Sequence, residues 1–90
     1  MSYFIGGSPR AMANQLMEGY ILLNRVILKK YSLSDLQVLK SELEKLLREV
    51  RSQQPPLEDT NAIKQRNRRI QKLTSSLSMI RSYCAERHKR

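Results

Sequence analysis

Apolar residues recur three and four positions apart along three stretches of this chain, and the breaks between them predict three amphipathic helices. The first is expected over 9–30. Ser8 is placed to cap it, Pro9 suits its first position, and Lys29-Lys30 suits its end. Ala13, Leu16, Tyr20, Leu23 and Ile27 form its inner seam. Gly19 inside it costs about 1 kcal/mol relative to alanine, a modest objection.

The second helix is expected over 33–53. Ser32 and Asp35 have capping-box spacing, with Tyr31 and Leu36 placed as a hydrophobic staple. Leu36, Leu39, Leu43, Leu46 and Val50 alternate three and four apart, a coiled-coil-like seam. Glu44 with Arg48 and Lys45 with Glu49 are i,i+4 pairs that would neutralise its outer face. Pro55-Pro56 ends this stretch, since neither proline can continue a helical ladder. Asp59 or Thr60 can cap the third helix, expected over 60–88 with Ile63, Ile70, Leu73, Leu77, Ile80 and Cys84 on its seam.

No strand pattern is present, so the expected fold is all-α: a three-helix bundle, with helix one packed on an antiparallel hairpin of helices two and three. Residues 1–8 read as a flexible N-terminal peptide jointed at Gly6-Gly7, 9–88 as a single helical domain and 89–90 as a basic tail. Two features suggest a homodimer through helix one. Met17, Ile21 and Leu28 lie off its inner seam, making it apolar on more than one side. Helix three also outruns helix two by roughly ten residues, or about 15 Å, without an internal partner.

Ninety residues make one domain at most. A lone cysteine excludes an internal disulfide and suits a reducing compartment. Neither a secretory signal nor a membrane span is evident, and the chain reads as soluble and cytoplasmic. Enzymatic constellations are absent. Cys84 and His88 share a helical face, but a structural zinc site needs four ligands and no other Cys or His exists. No phosphate-loop motif accompanies Gly6-Gly7. The expectation is a non-enzyme without metal or cofactor.

Charge carries more information. The formal net charge is +9 and the pI near 10.2. Residues 1–31 contribute +3, 32–51 zero, 52–59 −2 and 60–90 +8, so helix three holds most of the excess. At about 100° per residue, Lys64, Arg68 and Lys72 fall opposite its apolar seam in a row about 6 Å apart, flanked by Arg69. Such a row is spaced to meet successive phosphates. Arg87, Lys89 and Arg90 form a second cluster; Ser75 lies between the two, and Tyr83 is placed to stack on a base. Arg66 falls on the apolar seam, where it is expected to snorkel out or to pair with Glu49 or Glu58.

The stretch from Ser32 to about Ile80 resembles, in outline only, the two-helix hairpin proteins of the large ribosomal subunit: a leucine-rich helix, a short loop and an arginine-rich helix. The likeness spans about half the chain, leaves out the helix in front and carries no binding residue across.

The leading functional expectation is a nucleic-acid-binding helical module. It would contact RNA or DNA backbone through Lys64, Arg68, Arg69 and Lys72, with Arg81, Arg87 and Lys89 secondary. The Pro-rich connection is too long for a helix-turn-helix, which argues against major-groove reading. The rival is a helical adaptor, chaperone or small regulatory subunit using Met12, Met17, Ile21 and Leu28 of helix one against a protein partner. A third reading is peripheral attachment to anionic membrane.

Overall fold

The structure is a computed structural model that describes residues 4–88, without the side chain of His88. Its regular elements are all helical: α1 Pro9–Glu18, α2 Arg25–Leu28, α3 Leu33–Ser52 and α4 Thr60–His88. There are four helices, not three, because the first expected helix is broken in the middle. Gly19 takes φ +81°, its N–H bonds the carbonyl of Leu16, and the N–H of Tyr20 bonds that of Gln15. This is a Schellman termination, which needs a left-handed residue and so favours glycine. The chain runs on without regular structure until the Asn24 side chain accepts from Ile27 N–H at 2.9 Å and starts α2.

The other ends follow the sequence closely. Ser8 Oγ accepts from Ala11 N–H, with Pro9 leading α1. Ser32 and Asp35 form a reciprocal capping box on α3, and Asp59 Oδ1 accepts from Ala62 N–H at the start of α4. Helix α3 keeps its whole seam inside: Leu36, Leu39, Leu43, Leu46 and Val50 are buried. They meet Leu73, Leu77, Ile80, Tyr83 and Cys84 of α4 and Met12, Ala13 and Leu16 of α1 in one core. Each such leucine contributes about 1.5–3 kcal/mol by leaving water.

Helix α1 packs on both α3 and α4, and α2 packs on α4, a bundle-like arrangement 50 × 27 × 19 Å in extent. The break changes what faces inward. Leu23 and Leu28 are buried, whereas Tyr20, expected on the inner seam, is 78% exposed because it follows the left-handed turn. Much of what suggested a dimer is met within one chain, although Met17 and Ile21 remain half-buried. Leu28 is covered, and the last turns of α4 are partnered by α2 and the residues after it, which lie against Tyr83, Glu86 and Arg87.

Before α1, Phe4 and Ile5 dock on the core, and the Phe4 ring stacks on Tyr31 with centroids 5.3 Å apart. Gly6-Gly7 forms the turn that permits this, with Gly7 N–H bonded to Phe4 O. No helix of the described residues is long and apolar enough to cross a membrane.

Candidate nucleic-acid interface

Ion pairs join the helices at each packed junction. Arg10 ties α1 to α3, donating from Nη2 to both carboxylate oxygens of Glu49 at 3.0 Å and lying 3.7 Å from Glu42. Glu18 ties α1 to α4 through Arg69, Arg25 ties α2 to α4 through Glu86, and Glu44 ties α3 to α4 through Arg81. These contacts replace the i,i+4 pairs expected along α3: Glu44 and Glu49 turn to other helices, and Lys45 pairs with Glu42 instead.

The consequence for the surface is electrostatic. Seven of the eight acidic side chains are engaged inside the described chain: Glu18, Glu42, Glu44, Glu49 and Glu86 in ion pairs, Asp35 and Asp59 at helix starts. The cations are not matched in return. Among the described residues, the side chains of Lys29, Lys30, Lys40, Arg48, Arg51, Lys64, Arg68 and Lys72 have no hydrogen-bond or ion-pair partner.

The expected row on α4 is therefore part free and part spent. Lys64 and Arg68 are exposed on the face turned away from the core. Lys72 is half-buried; its Cε lies 3.5 Å from where a Cβ on Gly19 would sit, so it rises beside the end of α1. Arg69 does not join the row: its Nε donates to Glu18 at 2.9 Å and its Nη2 at 3.4 Å. Arg81 is turned toward α3 by Glu44, 3.6 Å away, so it too stands apart. Lys89 lies outside the described residues.

Arg66, on the apolar seam, pairs with neither Glu49 nor Glu58. It donates to the carbonyls of Gln53 at 2.8 Å and Arg51 at 2.9 Å, satisfying acceptors left open at the end of α3. Ser75 is exposed beside a shallow depression lined by Leu22, Leu23, Lys72 and Met79. Cys84 is buried in the core, and no group of three or more metal-ligating side chains exists among the described residues.

Arg87 stands about 22 Å from Lys72 along the axis of α4. Its Nη1 donates to the carbonyl of Tyr31 at 3.1 Å, and its guanidinium lies 5.7 Å from the Tyr83 ring centroid. Arg25 lies at the same distance from that ring. Tyr83 is thus buried among its own guanidiniums and does not offer the open face that base stacking needs. Arg25 and Lys29 complete this second basic cluster. Sequence spacing missed them because a continuous first helix would not have turned them onto α4; Gly19 and Asn24 together were the available signal.

No family model, no curated protein and no solved structure matches this chain.

The partner surface expected on helix one is corrected. Met12 and Leu28 are 0% exposed, and Met17 and Ile21 are half-buried against the core. Packing on α3 and α4 takes up the apolar side that looked surplus. The exposed apolar side chains here are Tyr20, Leu22 and Val26, on the segment that follows the break.

Proposed function

We propose that this chain is a non-enzymatic nucleic-acid-binding helical module that holds RNA or DNA backbone along α4. The observation that carries the reading is the fate of the carboxylates. Seven of the eight are taken up in helix starts and ion pairs, while Lys64, Arg68 and Lys72 stand unpaired in one row, the first two exposed and Lys72 half-buried beside the end of α1. Like charges at i,i+4 cost helix stability, and a polyanion laid along the row relieves that cost while releasing its own counterions. The contact is to phosphate, so it discriminates sequence weakly.

Fluorescence anisotropy with single-stranded RNA and duplex DNA tests this at ~50 and ~200 mM salt. Three phosphate contacts predict a loss of roughly forty-fold in duplex affinity across that range. Lys64→Glu, Arg68→Glu and Lys72→Glu together should leave the helical circular-dichroism signal intact and abolish binding. Undiminished binding by that variant defeats the assignment.

A second reading, a helical protein-interaction adaptor, is favoured by the exposure of Tyr20, Leu22 and Val26 on one short segment. It predicts a protein partner retained after nuclease treatment and lost in Leu22→Glu.

A further inference from the structure

The two basic clusters differ in construction. On α4 the row is made of side chains without a polar partner, two of them exposed and Lys72 half-buried, whereas two arginines of the cluster at the far end are held by partners. Arg25 is fixed by Glu86, and Arg87 by the Tyr31 carbonyl. Each guanidinium lies 5.7 Å from the centroid of the Tyr83 ring. The two are therefore no more than about 11 Å apart. Lys29 lines the same depression and has no partner among the described residues. The depression has a volume of about 450 Å³ and is lined by Arg25, Lys29, Tyr83, Glu86 and Arg87.

Three cations thus face one carboxylate, and the only ring present is already covered. The lining is mostly polar, so an apolar ligand finds little here to bury against, and a single carboxylate would leave positive charge unmatched. A group with at least two negative charges and several acceptor oxygens answers both conditions. Arginine forks and a lysine point charge are the side chains that recognise phosphate. Because Arg25 and Arg87 are already anchored, little side-chain freedom is lost when such a group arrives.

We propose that the depression between α2 and the last turns of α4 is a binding site for a phosphate group of two or more charges, supplied either by a free oligophosphate or by the phosphorylated end of a nucleic-acid strand. The site does not depend on the α4 row. Lys29 and Arg87 supply most of its attraction, and Glu86 serves to position Arg25.

The test is a titration of the whole chain with inorganic pyrophosphate, followed by backbone-amide NMR. Saturable shifts centred on Lys29 and on residues 83–87, and small around Lys64 and Arg68, are expected. Lys29→Gln should weaken binding roughly tenfold. Arg87→Gln should do the same, and Lys29→Gln keeps the test decisive if loss of the Tyr31 contact unfolds that second variant. Lys30→Gln, exposed next door but outside the depression, should bind as the native chain does. So should the triple α4 variant, which separates this site from backbone binding along α4. Pyrophosphate shifts joined by equal shifts from a 5′-phosphorylated strand, but not from its 5′-hydroxyl twin, support the site with a strand end as source. Shifts from pyrophosphate alone support it with a free oligophosphate. Weak, unsaturating shifts spread over all basic residues, or native-like affinity in Lys29→Gln, overturn it.

Discussion

Arg69 grips Glu18 across the junction of α1 and α4, with Nε–Oε1 at 2.9 Å and Nη2–Oε2 at 3.4 Å. The pair does two things. It fastens the last turn of α1, just ahead of the Gly19 break, and it removes one positive charge from the basic face of α4.

Glu18→Gln should separate these effects. Both side chains are about one-third exposed, at 35% and 34%, so the stability lost should be roughly 0.5–1 kcal/mol in urea unfolding. Arg69 is then released beside Lys64, Arg68 and Lys72, and nucleic-acid affinity should rise with a steeper salt dependence. A variant equally stable but no tighter in anisotropy would show that Arg69 is too far from the bound backbone to matter.

Gly19→Ala should lower stability by about 1–2 kcal/mol through backbone strain alone. The φ of +81° disfavours any L side chain, but the new Cβ would meet only Lys72 Cε, at an ordinary 3.5 Å. Gly19→Asn should lose less, since asparagine tolerates the left-handed region better. Equal losses from the two would point to crowding, not conformation.

Arg66→Met keeps most of the stem and removes the donors to Arg51 and Gln53. The end of α3 and the start of the Pro-rich loop should loosen, with a loss of about 1 kcal/mol and faster amide hydrogen exchange in residues 50–54. Exchange unchanged there would mean that solvent serves those carbonyls equally well.

Tyr31 sets an alkaline limit. Its phenol is raised above the usual 10.0, first by burial and also by the Asp35 carboxylate, against a lowering contact with the backbone of Ile5. Because the folded form holds this proton more tightly, the associated stability is complete below pH 10 and is lost as pH climbs through the raised value. Tyr31→Phe should flatten that part of the decline in urea midpoints measured from pH 8 to pH 12. It also removes the weak O–H contact to Met12 sulfur, so the slope and not the absolute midpoint is the readout.

Much of the fold was legible because its local and tertiary signals agree. Ser32 and Asp35, the leucine seam of α3, Pro55-Pro56 and Asp59 each favour one local structure, and packing selects the same one. Gly19 is different. The same residue is a tolerable loss inside a helix and a good terminator at its end, and the pattern around it does not choose. Burial of Leu23 and Leu28 against distant residues decides it, and the sequence does not display that contact. The site divides the same way. Helical spacing puts Lys64, Arg68 and Lys72 on one side of α4, where the first two are exposed and Lys72 is half-buried. It offers no means of seeing that Arg69 meets a glutamate 51 positions earlier or that Arg25 folds onto a residue 61 positions later. Charge counted along the chain therefore overstated the free row and missed that Arg25 and Lys29 join Arg87 in the second cluster.

Cys84, the chain's single thiol, packs in the core at 8% exposure, one residue beyond the tyrosine that Arg25 and Arg87 cover. A thiol reagent reaches it when that end of the molecule opens, so its labelling rate acts as a stopwatch for opening. Filling the neighbouring depression should slow the stopwatch, and occupancy of that site can then be timed without a tag or an introduced cysteine.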